Sequence, residues 1–407
     1  MRNFLNSQEL LEASRREPHF FTRDRRLPFA TLLTFLLSGI RGAVQAELDT
    51  FFASLANRAD LLRVVSAQAF CKARHHLRAD VFAHINAHLI GLVEAEIALP
   101  RWHGLRIVAA DASTVRLTQQ EKKSRTVIEA IAFGLFLPGL ELCLACTLYP
   151  LSCNERQMLF EHLALLRQND LLVLDRGYPS AWLAAVLSQT RIPFCIRCDM
   201  ASTFQVVTEF ARGGLAEAVV TLPAPNRPAA AAYECDRTPT RVRLVRVMTP
   251  NAKSYIVMTS LLDTNAYPAA SFSALYHSRW RIEEAFKRHK HRLNLEHTSG
   301  LTWLAACQDF GAKAVCDNLN AVAAWLAHDA DEAIPSEDCN KVNRTLTFNI
   351  LKRLCGRWLL KVLPSPRKIA AVFSEIVRNL QPFRPGRQRP RPQRPKPHKP
   401  FAYKPAV

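Results

Sequence analysis

The segment from Gly104 to Cys198 constrains the fold most strongly, because its apolar residues fall into short runs separated by turn and helix signals. The first three runs are LRIVAADAS, RTVIEAIAFGLFL and LELCLACTLYP, and Pro138 and Gly139 divide the last two. The helical stretch NERQMLFEHLALLRQ, the strand LLVLD, the helix PSAWLAAVLSQ and the strand IPFCIRC follow. The sequence therefore predicts an α/β fold with the element order β-β-β-α-β-α-β.

The flanking regions have different patterns. Apolar residues recur at three and four spacing before residue 100, which predicts helices, with Ser66 as an N-cap. Alternating Thr-, Val- and Arg-rich segments (QVVTEF, EAVVTL, RVRLVRVMT, SYIVMTSLL) predict strands after Cys198, and helices return from Ser271. We therefore expect the following units: a helical N-terminal domain (1–100), a core in two parts (101–200 and 267–330) around a β-rich insertion (201–266), a helical C-terminal region (331–380) and a tail (381–407).

The charge balance favours a polyanionic partner. The net charge is +19, and the Pro-rich tail 381–407 supplies eight of these positive charges with no acidic residue, so we expect it to be disordered. Nucleic acid is the first expectation and an anionic membrane surface the second. The longest apolar stretch, residues 27–40, is too short to span a bilayer and predicts a core helix instead. No signal peptide pattern opens the chain, so we expect a cytoplasmic, nucleoid-associated protein without membrane contact.

Two CxxC pairs raise the question of a zinc site. Cys143 and Cys146 lie in one predicted strand, and Cys195 and Cys198 in another. Positions i and i+3 of a regular strand face opposite ways. We therefore expect these cysteines to be small buried core residues.

Basic and histidine residues cluster in the N-terminal helices. They are candidates for gripping DNA, with a solvated helix face as an equally good explanation: Arg63, Lys72, Arg74, His75, His76 and Arg78. His84 and His88 have the i, i+4 spacing of a metal pair. Because no third ligand is close in sequence, we expect ordinary satisfied or exposed histidines.

The most specific pattern in the chain lies in the predicted helix YHSRWRIEEAFKRHKHRL. Tyr276, Arg279, Glu283 and Lys290 fall within an arc of about 60° on one helix face. A carboxylate flanked by cations suits a metal-bound phosphodiester, with Glu for the metal and Arg and Lys for the phosphates. A surface helix held by the i, i+4 ion pair between Arg279 and Glu283 explains the helix alone equally well.

Two further carboxylates favour the catalytic interpretation. Asp111 lies in the first strand of the meander, and Asp175 ends the fourth strand before the chain turns through Gly177. Carboxylates on adjacent strands of a mixed sheet can share a divalent cation. Either Asp alone is weak evidence, whereas the three carboxylates in this order of elements are much stronger.

With these residues in place, the chain resembles the insertion-sequence-four transposases. Their signature Tyr-x2-Arg-x3-Glu-x6-Lys is matched by YHSRWRIEEAFKRHK, and their two Asp motifs by DASTVRL and DRGY. The resemblance covers about residues 66–303 and implies a ribonuclease H-like catalytic core with a β-rich insertion. The implied catalytic and metal-binding triad is Asp111, Asp175 and Glu283. No role for Arg176, which follows the second Asp, can be assigned from the motif.

The implied activity is cleavage of insertion-sequence ends and transfer of the 3′ hydroxyl ends into target DNA by a two-metal mechanism. Oxygen ligands suit two Mg²⁺ ions, for which Mn²⁺ can substitute. The expected DNA-binding residues are Tyr276, Arg279, Lys290 and Tyr255. In the resembling family an aromatic about twenty residues before the signature Tyr stacks on a base flipped from the DNA end, which points to Tyr255. A Tyr packed in the β core is the alternative.

The expected partner is double-stranded DNA, comprising the terminal inverted repeats of the element and the target. On this DNA we expect a homodimer. Two alternatives remain open at this point. One is a catalytically inactive DNA-binding protein derived from a transposase, and the other is a nuclease without strand transfer.

Overall fold

The computed structural model describes residues 1–23, 25–121, 124–199, 204–248, 254–291, 293–329 and 340–382. Within these ranges no helix is long and apolar enough to cross a membrane. The N-terminal part is helical: α1 Arg2–Leu5, α2 Gln8–Ser14, α3 Phe29–Leu37, α4 Val44–Leu55, α5 Ala67–Arg74 and α6 Val81–Glu96. The apolar stretch 27–40 contains the buried helix α3, which confirms the predicted core helix. Ser66 caps α5 by accepting a hydrogen bond from the Ala69 amide at 3.2 Å.

An eight-stranded mixed sheet follows. Its elements and the helices between them are β1 Arg106–Glu121, β2 Ser124–Leu137, β3 Leu142–Pro150, α7 Glu155–His162, β4 Asp170–Leu174, α8 Ala181–Gln189, β5 Phe194–Cys198, α9 Gln205–Arg212, β6 Glu217–Leu222, α10 Arg227–Ala232, β7 Thr240–Met248 and β8 Ser254–Thr259. The strand order is β3-β2-β1-β4-β5-β8-β7-β6, with β4 parallel to both β1 and β5 and the other neighbours antiparallel. The predicted order β-β-β-α-β-α-β is confirmed.

The segment 201–266 contributes to this same sheet. Strands β6, β7 and β8 extend it beyond β5, because β8 pairs with β5 from Cys195 opposite Thr259 to Cys198 opposite Ile256. The prediction of a strand at QVVTEF is wrong, since α9 covers it. Its two buried side chains, Val207 and Phe210, are three residues apart, which is the spacing of one helix face and not of one strand face.

The cysteine pair of β3 departs from the regular strand expected for it. Opposite Leu135 and Phe136 of β2, β3 places Ala145 and Cys143, so Leu144 is an extra residue in a β-bulge. The bulge turns Cys143 and Cys146 to the same face, where both contact one apolar cluster. The prediction of opposite faces is therefore wrong, while Cys143 is buried as expected.

Helices cover both faces of the sheet. The helix α11, Phe272–His291, and α12, Trp303–Asp329, lie on one face. Residues Ile282 and Ala285 of α11 pack in one cluster with Ala109 of β1, and Leu275 packs with Val173 of β4. The opposite face carries α7 and α8 in the large core, which also contains the N-terminal helices. Two further helices are α13 Arg344–Leu360 and α14 Pro366–Val377, and a two-residue pair joins β9 Asn340–Lys341 to β10 Gln381–Pro382.

Arg74 joins the N-terminal helices to α12 and does not face solvent. Its side chain is 4% exposed and forms an ion pair of 2.9 Å with Asp309, whose side chain is 5% exposed. It also donates to Gln308, Ser299 and the Ala305 carbonyl. The suggestion that Arg74 grips DNA is therefore wrong, because its guanidinium is already fully used inside the protein.

The other basic candidates differ in their surroundings. Arg63 pairs with Asp49 and Arg78 with Asp80, while Lys72 and His75 are exposed on the same helical segment. His88 stacks on Phe4 with ring centroids 4.0 Å apart, and His84 is exposed. The predicted disordered tail comprises residues 381–407. Its first two residues form β10, and residues 383–407 lie outside the described residues.

Candidate active site

A row of polar side chains crosses the middle of the sheet beneath α11. Ala109 pairs with Val173, and Val173 pairs with Cys195. Residues two positions further along each strand share that face. Continuing the register therefore brings Asp111, Asp175 and Arg197 side by side.

The next strand completes the row. Arg197 pairs with Val257 of β8, and Tyr255 lies on the same face two residues before it. Asp175 directly follows β4, and its carboxylate accepts a hydrogen bond of 2.8 Å from the Gly177 amide, which holds the turn. Parallel strands thus place both Asp side chains at adjoining positions, as the sequence predicted for Asp111 and Asp175.

Above this row, α11 presents its predicted face. Arg279 donates to Glu283 at 2.7 Å, and the two side chains are 11% and 36% exposed. Tyr276 is buried one turn before Arg279. The ion pair that offered an alternative explanation of the helix is therefore present, but it faces the sheet carboxylates and not open solvent.

The carboxylates and the guanidinium interact electrostatically. Burial raises the pKa of Asp111 to about 7, with help from the nearby Asp175 and Glu283 carboxylates and against the opposing effect of the Arg279 guanidinium. The guanidinium in turn has a raised pKa, because the effects of Tyr276, Asp111 and Glu283 outweigh its desolvation. Asp111 thus interacts electrostatically with Asp175, Glu283 and Arg279 across the space between the sheet and α11.

Arg279 has unused hydrogen-bonding capacity. Its Nε and Nη1 groups are buried and have no hydrogen-bond partner within the described ranges. The Tyr276 hydroxyl lies near the guanidinium without the alignment of a hydrogen bond. Unpaired donors of a buried cation are costly, at about 1–3 kcal/mol each. An anionic ligand with several oxygens, such as a phosphodiester, would satisfy both donors.

Aromatic side chains flank the cluster on the side of β8. The rings of Tyr255 and Tyr276 have centroids 5.3 Å apart, and the Arg197 guanidinium lies 5.1 Å and 6.0 Å from them. Tyr255 is half-buried and therefore presents part of its ring to solvent. It contacts the signature Tyr of α11 directly, which the 21-residue separation in sequence did not reveal.

Sequence reasoning missed three residues of this region: Arg197, Glu155 and Tyr178. Arg197 carried a signal, since a charged residue inside the buried strand IPFCIRC requires an explanation. Glu155 begins α7 with an exposed side chain, and partial desolvation and the Asp175 carboxylate raise its pKa. Tyr178 is fully buried below the turn after Asp175. Glu155 had no local sequence signal, whereas Tyr178 ends the matched motif DRGY, from which no role was assigned to it.

Arg176 and Lys290 are the remaining residues that the sequence motifs drew attention to. Arg176 is exposed and forms an ion pair of 3.5 Å with Asp199, which gives it a partner outside the cluster. Lys290 lies in α11, but its side chain is outside the described residues.

The donor set can be tested against the divalent cations that the resemblance implies. Over the described part of the chain, no three His, Cys, Asp or Glu side chains lie close enough together to hold a metal ion. The Glu283 carboxylate accepts a hydrogen bond from Arg279. The chemistry of the residues nevertheless fits, because carboxylate oxygens are the ligands of Mg²⁺ and Mn²⁺, and a cation would offset the burial and the carboxylate repulsion that together raise the pKa of Asp111.

The sequence and the structure were compared with known proteins. The piggyBac transposase, in a structure titled as a synaptic complex with hairpin DNA, is similar at 11% identity and a TM-score of 0.41, over 92% of this chain and 81% of that chain. No curated protein matches the sequence. Residues 102–319, more than half of the chain, match the family described as the transposase DDE domain, and these residues contain Asp111, Asp175 and Glu283. The chain therefore belongs to the transposase DDE domain family.

Proposed function

We propose that this protein is a transposase of the insertion-sequence-four type, which cleaves the ends of an insertion sequence and joins the 3′ hydroxyl ends to target DNA. The observation that carries the proposal is the placement of Asp111 and Asp175 side by side under the Arg279 and Glu283 pair. The fold supports a ribonuclease H-like core, because three antiparallel strands are followed by two parallel ones in the order β3-β2-β1-β4-β5. The subfamily assignment rests on the signature residues of α11.

The catalytic residues in this proposal are Asp111, Asp175 and Glu283, which would hold two Mg²⁺ or Mn²⁺ ions. When bound, such cations activate the attacking oxygen and stabilise the leaving oxygen of a phosphodiester. To hold a cation together with the two aspartates, the Glu283 carboxylate would have to leave its ion pair with Arg279. The guanidinium that is released then has all its donors available for DNA phosphate.

The neighbouring side chains would position the DNA. Arg279 and Lys290 contact phosphates as cations on the signature face of α11. Tyr276 packs beside the guanidinium and keeps water away from it, because it is buried between α11 and the sheet. Tyr255, with the Arg197 cation 5.1 Å from its ring, offers an aromatic surface to a base displaced from the DNA end.

The proposed partners are the double-stranded terminal repeats and the target DNA, bound by a homodimer. The positive charge of the chain supports nonspecific attraction to DNA. The proposed domains keep the boundaries predicted from sequence: a helical DNA-binding domain (1–100), the two parts of the core (101–200 and 267–330), the insertion (201–266), the C-terminal region (331–380) and the tail (381–407). The insertion then is a domain whose strands continue the core sheet.

The test of this function replaces each triad residue by its amide. Asp111→Asn, Asp175→Asn and Glu283→Gln keep the side-chain shape and remove the negative charge. We expect each variant to lose Mg²⁺-dependent cleavage of DNA bearing the element's ends by about 10³-fold or more, since metal ligands are lost, while end binding stays within about twofold. Cleavage and strand transfer are measured on labelled end substrates, and binding by gel shift.

The chain offers a matched control on the same helix. Glu284 is adjacent to Glu283 but points to solvent, where it pairs with Lys287. Glu284→Gln removes the same charge and is expected to cleave as the wild type does. Wild-type cleavage by any triad variant would remove that residue from the site, and cleavage without strand transfer by the wild type would identify a nuclease instead.

A further inference from the structure

Glu155 occupies a position that the triad does not explain. It is the first residue of α7, which Asn154 caps through a hydrogen bond from the Arg156 amide. Met158 and Leu159 anchor the helix in the core on the face of the sheet opposite α11. This packing leaves Glu155 exposed at the edge of the sheet where β4 ends.

A hydrogen bond ties the start of α7 to the turn that carries Asp175. Arg156 Nε donates to the Gly177 carbonyl at 3.0 Å, and the Gly177 amide donates to Asp175 Oδ1 at 2.8 Å. A Cβ atom added to Gly177 would lie 3.1 Å from Asp175 Oδ1 and 3.8 Å from Glu155 Oε2. The two carboxylate oxygens are therefore less than about 7 Å apart, and the absent side chain of Gly177 leaves the space beside them open.

The polar groups around this space lack partners. The Glu155 carboxylate makes no hydrogen bond or ion pair in the parts of the chain that the structure describes. Tyr178 is fully buried, and its hydroxyl likewise has no hydrogen-bond partner there. Tyr178 directly follows Gly177, and its amide donates to the Asp175 carbonyl at 3.4 Å. Burial raises the pKa of the Tyr178 phenol well above its usual value, and the Glu155, Asp111 and Asp175 carboxylates raise it further.

Such an arrangement is unfavourable without a ligand. Like charges near each other repel, and a buried hydroxyl without a hydrogen bond is destabilising. A divalent cation beside Asp175 would neutralise both carboxylates, and a water molecule bound to it could donate a hydrogen bond to the phenolic oxygen. Mg²⁺ takes six oxygen ligands and usually keeps several of its waters, so a further carboxylate can bind it directly or through one of those waters.

We propose that Glu155 is a fourth carboxylate of the metal site, and that it binds the divalent cation held by Asp175 directly or through one water molecule. The inference rests on the proposed function, because it assumes that Asp175 is a metal ligand. It adds a residue from α7, on the opposite face of the sheet from Glu283. The cation next to Asp175 is then held from both sides of the strand end.

The test measures Mn²⁺ binding by the full-length protein without DNA, from the electron paramagnetic resonance signal of free Mn²⁺. Glu155→Gln is expected to raise the Kd of one Mn²⁺ by about tenfold or more, the range found when a group that supports a metal site is lost. Glu155→Asp keeps the charge and is expected to bind with an intermediate Kd. The matched control is Glu161→Gln, an exposed carboxylate at the other end of the same helix, which should bind as the wild type does.

The Asp175→Asn variant separates the role of Glu155 from the proposed function. Loss of Mn²⁺ in Asp175→Asn with wild-type binding in Glu155→Gln overturns the role of Glu155 and leaves the proposed function standing. Absence of Mn²⁺ binding in the wild type contradicts the proposed metal site itself, and the role of Glu155 with it. An equal loss of binding in Glu155→Gln and Glu161→Gln also overturns the inference, because the effect is then one of helix charge.

Discussion

The buried ion pair between Arg74 and Asp309 yields a quantitative prediction about how the N-terminal helices are attached. Arg74→Met removes the ion pair of 2.9 Å together with hydrogen bonds to Gln308 at 3.0 Å and to the Ala305 carbonyl at 2.8 Å. The Asp309 carboxylate then stays buried without its cation. Loss of one partner of a buried pair costs about 3–5 kcal/mol.

We expect Arg74→Met to lose about 3 kcal/mol of unfolding free energy, the lower end of the range for a broken buried pair. Ser299 still donates to Asp309 in this variant, through its amide at 2.5 Å and its hydroxyl at 2.8 Å. A loss of about 3 kcal/mol lowers the urea midpoint by about 1 M, for a slope of about 3 kcal/mol/M. The assay is equilibrium unfolding in urea followed by circular dichroism. Arg74→Met combined with Asp309→Asn should recover much of the loss, since the second change removes the unpaired charge and keeps an acceptor for Ser299.

Lys72 is the matched control, because it is an exposed cation two residues away on the same helix. Lys72→Ala should change the free energy of unfolding by less than about 0.5 kcal/mol, as surface substitutions commonly do. If DNA lies along this helix, Lys72→Ala and not Arg74→Met weakens DNA binding by the folded protein. A stable Arg74→Met variant with reduced DNA affinity would refute the structural role assigned to Arg74.

Two further predictions concern contacts with DNA. Tyr255→Ala should slow second-strand cleavage or hairpin formation and spare first-strand nicking, because stacking on a displaced base contributes roughly 1–3 kcal/mol. Tyr255→Trp should be tolerated, since it keeps an aromatic ring. Equal loss of both steps with a lower melting temperature would show that Tyr255 is structural. Truncation after Pro382 removes eight cationic residues and should flatten the salt dependence of nonspecific DNA binding, measured as the slope of log K against log salt. An unchanged slope would mean that the tail makes no phosphate contacts.

Local patterns predicted the elements of the core and the face of the signature helix. The strand and helix order from residue 104 to 198 follows from apolar periodicity and turn residues, which act over a few positions. The signature face of α11 follows from 3.6-residue periodicity, and Tyr276 and Arg279 are buried together on it. Local patterns failed at QVVTEF, where the apolar residues are compatible with a strand or a helix, and at Cys143, where a bulge interrupts the strand.

The amino-acid sequence by itself determined which residue types the site has and which element carries each one, because side-chain chemistry and short-range periodicity are local properties. Only the tertiary structure decided which of them meet. Arg74 and Asp309 are 235 residues apart and form one buried pair, while Glu155 meets the Asp175 turn through the packing of α7 against the sheet. Strand register and helix packing set such contacts, and both depend on the burial of the whole core, which no local pattern encodes.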